Sequence, residues 1–200
     1  RREKQKMESV KLIECPRDAM QGIHDFIPTE KKIAYINSIL KCGFDTVDFG
    51  SFVSPKSIPQ MRDTAEVLQG LDMSYVTIPQ SRNSPPWGVP EGVKLLAIVA
   101  NTRGAEDAVA FDEITYLGFP FSISEAFQQR NTNSSIAESL NRVEAIQSLC
   151  LKIKKQLVIY ISMAFGNPYG DTWSVGIVEE WVKKLAQLDI KIFALSDTIG

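Results

Sequence analysis

The sequence contains few residues of the kinds that bind transition metals or form disulfides. Histidine occurs once, as His24, and the three cysteines, Cys15, Cys42 and Cys150, lie far apart without a CxxC pair. One imidazole and three scattered thiols predict neither a structural zinc site nor a disulfide framework. This cysteine usage is typical of a reducing, intracellular setting, and we expect a cytoplasmic protein.

The sequence also lacks a long hydrophobic run and a marked excess of either charge. No uninterrupted apolar stretch approaches the roughly 20 residues that a membrane-spanning helix needs, and the N-terminal RREKQK is charged rather than apolar. Twenty-two basic residues stand against 24 acidic ones, which gives a net charge of −2. Apart from RREKQK, no basic stripe of the kind that follows a phosphate backbone is present. The sequence therefore predicts that neither a membrane nor nucleic acid is a partner.

Six short apolar runs, rich in β-branched residues, are distributed along the chain. Longer amphipathic stretches separate them, a pattern typical of repeated βα units around a parallel sheet. Because the runs are continuously apolar, both faces of that sheet are expected to be buried. The runs are residues 10–15, 45–50, 94–100, 113–119, 156–164 and 190–197.

Apolar residues at helical spacing occur between these runs, as a βα pattern requires. Thr29 is suited to cap the first helix, and the longest helix is predicted to start near Ser134. Two predicted apolar helix faces consist of Ile33, Ile36, Ile39 and Leu40, and of Ile177, Trp181, Val182 and Leu185.

Two parallel α/β architectures agree with this pattern. A doubly wound sheet usually has a Gly-rich first turn that binds phosphate, but the first run ends in Cys-Pro-Arg-Asp and no GxGxxG occurs. A barrel carries its functional residues at the C-terminal ends of several strands, and charged residues follow the first, second and sixth runs. The sequence therefore predicts a TIM (β/α)₈ barrel, with residues 1–200 as a single, partial domain of about six βα units. Two units are expected to be missing.

The segment 79–90 (PQSRNSPPWGVP) is rich in proline and precedes the third run. Loops that lead into a barrel strand lie on the N-terminal face, which serves stability rather than chemistry. We therefore expect no catalytic role for this segment.

Arg17 and Asp18 directly follow the first run. At the mouth of a barrel, this pair places an always-charged guanidinium beside a hard oxygen ligand. Breaking a carbon–carbon bond next to a thioester leaves negative charge on an oxygen, and a cation at that point stabilises the transition state more than the substrate. The alternative is a local ion pair without a chemical role.

Five motifs in order resemble the hydroxymethylglutaryl-CoA lyase family. They are CPRDAMQ (15–21), VDFGSFVSPKSIPQM (47–61), SEAFQQRNTNSSIAESLNR (124–142), SMAFGNPYGD (162–171) and ALSDTIG (194–200). The resemblance implies a metal-dependent cleavage of 3-hydroxy-3-methylglutaryl-CoA, or of a related 3-hydroxyacyl-CoA, to acetyl-CoA and a keto acid. It implies a divalent cation, Mg²⁺ or Mn²⁺, an acyl-CoA ligand, and assembly as a homo-oligomer, with a dimer expected.

The first two motifs supply the catalytic residues that the resemblance implies. Arg17 would neutralise charge on the acyl oxygen, Asp18 would bind the metal and help to relay a proton, and Gln21 would complete the substrate contacts. Asp48 stands where the family has a Glu at the end of the second strand. Because its side chain is one methylene shorter, we expect a looser hydrogen bond to Arg17 or to the substrate.

The later motifs add three more candidates. Asp197 matches an acidic residue that the family places after its sixth strand, although an Asp here is also suited to cap a helix. Asn131, before the helix predicted near Ser134, and Ser162, in the fifth strand, match substrate-binding positions of the family. Polar residues at such places often only satisfy backbone groups.

Several family features are not found in the 200 residues. The family takes two metal ligands from a His-x-His on its seventh strand, an Asn from its eighth, and a reactive Cys from a glycine-rich loop. His24 cannot replace such a pair. We therefore expect the native protein to continue past Gly200 with these ligands, and the 200-residue chain alone to be inactive. Phe49, at a position where many members have small hydroxyl residues, is expected to narrow the mouth or add an apolar wall, unless it points outward into a helix.

Two other functions stay open. One is a non-catalytic barrel relative that serves as a binding protein. The other is a condensing acyltransferase of the same superfamily, against which the SFVSPKSIPQM motif argues.

Overall fold

The computed structural model describes residues 10–78 and 92–199, and it places six parallel strands in one sheet. Each strand pairs with the next one along the chain, so the order is β1-β2-β3-β4-β5-β6. The strands are β1 Ile13–Glu14, β2 Thr46–Ser51, β3 Lys94–Ile98, β4 Ile114–Ser122, β5 Gln156–Ser162 and β6 Ile192–Leu195. All six predicted strands are confirmed. The proline-rich segment 79–90 and the RREKQK start lie outside the described residues.

The sheet is curled into a half-barrel, which matches six consecutive units of a TIM barrel. In a barrel, parallel strands follow one another in the order of the sequence, whereas in a doubly wound sheet the strand order reverses at a switch point. The predicted barrel class is therefore confirmed. Among the described residues, β1 pairs only with β2 and β6 only with β5.

Helices follow the strands of the curled sheet. They are α1 Pro16–Gln21, α2 Thr29–Ile39, α3 Thr64–Gln69, α4 Thr102–Val109, α5 Glu125–Thr132, α6 Ile136–Ile153 and α7 Val175–Ala186, with short 3₁₀ turns at Pro59–Met61 and Met73–Tyr75. The short helices α1 and α5 carry residues that line a cavity at the strand ends, whereas the longer helices pack against the outside of the curled sheet. In the described part of the chain, no helix is both long and apolar enough to cross a membrane.

Two details of the helices differ from the sequence predictions. The longest helix, α6, starts as expected, because Ser135 caps it in a reciprocal capping box with Glu138. Thr29, however, is the first residue of α2 rather than its cap, and its hydroxyl donates to Asp63 at 2.8 Å. The short helix α5 was not predicted, since its eight residues show little apolar periodicity.

Residues alternate between two apolar layers along each strand, because successive side chains point to opposite faces. The layer between sheet and helices is the main core, to which β5 contributes Leu157, Ile159 and Ile161. The inner layer is small and contains Leu96, Ile98 and Val158, with Tyr116 and Tyr160 packed against it.

Phe49 belongs to the main core, with 2% of its surface exposed. Its neighbour Asp48 therefore faces the barrel interior, and Phe49 faces the helices. The expectation that Phe49 narrows the mouth is wrong, because alternation along β2 turns the two side chains to opposite sides.

Candidate active site

A cavity of about 500 Å³ lies at the C-terminal ends of the strands. Every residue that the sequence predicted for the site lines it: Arg17, Asp18, Gln21, Asp48, Asn131, Ser162 and Asp197. They come from five βα units, since α1 follows β1, Asp48 lies in β2, α5 follows β4, Ser162 ends β5 and Asp197 follows β6. The barrel therefore brings all seven together, while their individual roles stay predictions.

Arg17 and Asp48 form a buried ion pair at the base of this cavity. The Arg17 Nη2 donates to Asp48 Oδ2 at 2.7 Å, and Nε donates to both carboxylate oxygens at 3.1 and 3.2 Å. Asp48 is fully buried and Arg17 is 8% exposed. Two parallel N–H···O bonds of this kind fix the plane of the guanidinium. The expected loosening by the shorter Asp48 side chain is thus not found on the Arg17 side.

The other end of the guanidinium is held by α1 itself. Nη1 of Arg17 donates to Asp18 Oδ1 at 3.0 Å and to Gln21 Oε1 at 2.8 Å. A guanidinium has five N–H donors, and these contacts with Asp48, Asp18 and Gln21 use four of them. One Nη2 N–H is left without a partner among the described residues. Asp18 has 70% of its side chain exposed and also lines the cavity.

Burial and the Arg17–Asp48 pair set the charges around the cavity. Burial raises the pKa of the Asp48 carboxyl, and the guanidinium opposes that shift. Burial, followed by the negative charge of Asp48, raises the pKa of the Cys15 thiol to about 11. Since the thiolate is the nucleophilic form, Cys15 is protonated at neutral pH and is a poor substitute for a reactive cysteine.

The remaining predicted residues lie around the rim. Asp197 is exposed just after β6, and Asn131 is exposed in the last turn of α5, whereas Ser162 is buried at the end of β5. Thr198, in the same motif as Asp197, accepts a hydrogen bond from the Met163 N–H at 2.8 Å. Met163 has a left-handed backbone with φ of 61°, so the ALSDTIG motif also supports the strained turn after β5.

Sequence reasoning missed Tyr160 as a residue of the cavity. A signal was available, because Tyr160 and Ser162 are two residues apart on one strand and must share a face. Burial, together with the nearby Asp48 charge, raises the pKa of the Tyr160 phenol. The phenol is therefore a neutral hydrogen-bond donor at physiological pH.

Two of the five motifs also serve as scaffolding. Gln60, from the second motif, accepts from the Ile27 N–H and donates to the carbonyls of Ile23 and Asp25, all at 2.9 Å. It thereby holds the loop that follows α1.

Asp171, from the fourth motif, does the same for α5. Its Oδ2 accepts from the Ser124 hydroxyl at 2.6 Å and from the Ala126 N–H at 3.0 Å. Ser124 in turn caps α5 by accepting from the Phe127 N–H. This places a carboxylate at the N-terminus of the helix that carries Asn131.

The described residues match a divalent cation in kind but not in number. Asp18 offers the oxygen that Mg²⁺ and Mn²⁺ prefer. Within residues 10–78 and 92–199, however, no group of three His, Cys, Asp or Glu side chains is placed to hold a metal ion. His24 is fully exposed, pairs with Asp25 at 3.3 Å and does not line the cavity.

The chain is similar to curated lyases over almost its whole length. The mitochondrial hydroxymethylglutaryl-CoA lyase of Mus musculus is 32% identical over 194 residues, which are 96% of this chain and 54% of that protein. The cytoplasmic 3-hydroxy-3-methylglutaryl-CoA lyase of Rattus norvegicus is 33% identical over 196 residues, or 96% and 52% of the two chains. No protein-family model matches. The chain spans about half the length of these relatives.

Solved structures give the same result. The hydroxymethylglutaryl-CoA lyase of Pseudomonas aeruginosa superposes with a TM-score of 0.81 at 32% identity, covering 96% of this chain and 58% of that one. An HMG-CoA lyase from Acinetobacter baumannii, in complex with coenzyme A and 3-methylmalate, gives 0.80 at 29% identity over 95% and 57%. In sequence and in barrel fold, the chain is a homologue of the hydroxymethylglutaryl-CoA lyase family.

Proposed function

We propose that this chain carries the Arg–Asp half of the active site of a carbon–carbon lyase that acts on 3-hydroxy-3-methylglutaryl-CoA or a related 3-hydroxyacyl-CoA. The products would be acetyl-CoA and a keto acid. The observation that carries the proposal is the cavity in which Arg17, Asp18, Gln21 and Asp48 meet, in a homologue of such lyases. The coenzyme A bound to the Acinetobacter baumannii relative supports an acyl-CoA ligand.

The reaction needs one proton acceptor and one stabilised oxygen. When the proton of the 3-hydroxyl leaves, its C–O bond becomes a ketone and the bond between C2 and C3 breaks. The electron pair moves into the thioester, whose oxygen becomes an enolate, and protonation at C2 completes the acetyl thioester. The proton taken from the hydroxyl is thus balanced by the one returned to carbon.

We propose that residues of α1 carry out these tasks. The free N–H of Arg17 is suited to the thioester oxygen, where its fixed charge stabilises the enolate more than the ground state. The exposed carboxylate of Asp18 is suited to receive the hydroxyl proton. Asp48 acts through Arg17, by holding the guanidinium in one plane. Asn131, Ser162 and Asp197 are proposed to contact the acyl group from the rim.

A divalent cation, when bound, would supply Lewis-acid stabilisation of negative charge on the substrate. Asp18 would be one of its ligands. Since one carboxylate is fewer than such a cation needs for tight binding, we expect the 200-residue chain to bind Mg²⁺ or Mn²⁺ weakly and to show negligible turnover. A version as long as the relatives is expected to recover both.

The incomplete ligand set favours one other function, that of a barrel relative that binds acyl-CoA without cleaving it. Release of acetyl-CoA from 3-hydroxy-3-methylglutaryl-CoA distinguishes the lyase from the binding protein. It is measured for the 200-residue chain and for the version as long as the relatives. In the longer version, Arg17→Gln is expected to lower kcat with little change in KM, because the charge that it meets develops in the transition state. Arg142→Gln on the outer helix α6 serves as the matched control, since that side chain donates to Ser134 and does not line the cavity.

Two outcomes would contradict the proposal. Robust turnover by the 200-residue chain would refute the argument from ligand number. A longer version with the metal ligands of the relatives, yet inert towards several 3-hydroxyacyl-CoA esters, would favour the binding protein.

We further propose that residues 1–200 form part of one barrel domain, in a cytoplasmic homodimer. The cytoplasmic rat relative supports the location, although other relatives are mitochondrial. Sedimentation of the longer version tests the dimer.

A further inference from the structure

Tyr160 is the aromatic residue of the candidate cavity, and it faces the barrel interior from β5. Its strand neighbours Ile159 and Ile161 point into the helix-facing core, while Val158 and Ser162 share its side. The hydroxyl forms no hydrogen bond within the described part of the chain, although the ring lines a polar cavity. The hydroxyl is not among the buried atoms that lack a partner, so it opens onto the cavity, where a ligand can accept its hydrogen bond.

The position of the ring depends on a gap in the neighbouring strand. A Cβ atom at Gly118 of β4 would lie 2.9 Å from Tyr160 Cε2, 2.6 Å from Ile98 Cδ1 and 3.1 Å from Leu96 Cδ2. The ring therefore leans from β5 over Gly118 of β4, a strand position that has no side chain. Leu96 is in register with Asp48 of β2, and Tyr160 lines the same cavity as Arg17 and Asp48.

Arg17 by itself offers one hydrogen-bond donor to a developing oxyanion. Its other N–H groups are committed to Asp48, Asp18 and Gln21, which leaves one free donor. Oxyanion sites in acyl chemistry normally present two or more donors to the same oxygen. Ser162 and Tyr160 are the hydroxyl side chains of β5 that line the cavity, and the ring of Tyr160 lies over Gly118 of β4.

We propose that the Tyr160 hydroxyl is a second donor to the thioester oxygen of the substrate, beside the free N–H of Arg17, and that Gly118 is the positioning residue that admits its ring. The inference deepens the proposed function and rests on it. No proton leaves the phenol: the O–H donates a hydrogen bond that shortens as negative charge grows on the oxygen.

Tyr160→Phe tests the proposal in an active version of the protein that is as long as the relatives, with release of acetyl-CoA as the assay. The ring is kept and only the hydroxyl is lost. We expect kcat to fall by about 10- to 100-fold with KM changed less than about 3-fold, because removal of one oxyanion donor acts on the transition state. Tyr116→Phe is the matched control, since Tyr116 faces the same interior but does not line the cavity. It should keep wild-type kcat.

Gly118→Ala tests the positioning role. We expect it to lower kcat in the wild-type background but to add little to Tyr160→Phe, since both changes act through one hydroxyl. If Gly118→Ala lowers kcat equally in the wild-type and the Tyr160→Phe backgrounds, Gly118 acts only through packing. That result would overturn its role as the positioning residue for Tyr160.

The inference and the proposed function fail in different ways. Wild-type kcat in Tyr160→Phe, in a protein whose turnover is lost in Arg17→Gln, overturns the inference alone. A wild-type protein without turnover of any 3-hydroxyacyl-CoA overturns both. A melting temperature of Tyr160→Phe close to that of the wild type excludes misfolding as the cause of a lower kcat.

Discussion

Replacement of Gln60 by Ala should loosen the loop that connects α1 and α2. The Gln60 amide is 4% exposed and accepts one hydrogen bond from, and donates two to, the backbone of residues 23–27. The residue belongs to the 3₁₀ turn Pro59–Met61, which follows β2. Its loss would therefore separate the loop after β1 from the loop after β2.

The expected loss of stability follows from what replaces each hydrogen bond. Three bonds at about 1 kcal/mol each would give about 3 kcal/mol. Ile23 and Asp25 are exposed, so water can take over their carbonyl groups, whereas the N–H of the half-buried Ile27 is harder to satisfy. We therefore expect a free energy of unfolding lower by about 2 kcal/mol.

Urea denaturation of the dilute 200-residue chain measures this difference, with Gln69→Ala as the control. Gln69 is an exposed residue at the end of α3, so its replacement should change stability by less than about 0.5 kcal/mol. Gln60→Glu gives a sharper test, because an ionised Glu can still accept from Ile27 but cannot donate to the two carbonyls. Burial beside those carbonyls raises the folded-state pKa of such a Glu, so stability should be greater at low pH and fall as pH rises through that value.

Equal effects of the Gln60 and Gln69 replacements would refute this reasoning. So would a Gln60→Glu variant whose stability relative to wild type is the same at pH 4 and pH 7.

Three further predictions concern other contacts of the fold. The Ser124 hydroxyl, with the Ala126 N–H, lowers the pKa of Asp171. The ionised Asp171 therefore stabilises the fold above its unfolded-state pKa of about 4, and this stabilisation is lost as pH falls through its folded-state pKa. The melting-temperature gap between wild type and Asp171→Asn should accordingly shrink in acid, and a gap that widens there contradicts the assignment. Lys32 and Asp63 form a buried ion pair at 2.7 Å, so Lys32→Ala should lower the unfolding free energy by about 3–5 kcal/mol in urea denaturation, and a loss below about 1 kcal/mol would argue against it. Because β1 and β6 each have one described neighbour and carry exposed apolar residues such as Ile13 and Leu195, the 200-residue chain should self-associate in sedimentation at high concentration; a monodisperse monomer would show that the fold needs no further strands.

The strands and the parallel arrangement of the sheet could be predicted, because a strand that is buried on both faces is a continuous apolar run in the sequence. Runs such as KLLAI in β3 have no polar alternation, and only a parallel sheet covered by helices buries both faces of such a strand. Helix α6 was equally readable, since Ser135 and Glu138 form a local capping box. Helix α5 could not be predicted in the same way, because its N-terminal end is supported by Asp171, which lies 45 residues from Ala126 in the sequence.

The candidate site was predicted from motifs rather than from geometry. The position of Arg17 and Asp18 after a strand indicated the barrel mouth, but the partner of Arg17 lies 31 residues away in Asp48. Nothing in the sequence alone indicates that two residues so far apart form an ion pair. The sequence likewise did not decide which of the adjacent residues Asp48 and Phe49 faces the barrel interior. Adjacent strand residues point to opposite faces, but either of the two could be the inward one.

The sequence by itself determined the parallel βα order, the barrel class and the set of polar residues at the strand ends, because these follow from local spacing and from runs of apolar residues. Only the tertiary structure decided that Gln60 and Asp171 are scaffolding, that Phe49 is core, and that the ring of Tyr160 lies over Gly118. Each of these depends on atoms from strands or loops distant in sequence that come within a few ångströms of each other. Such contacts are set by the curl and register of the sheet, which no single segment encodes.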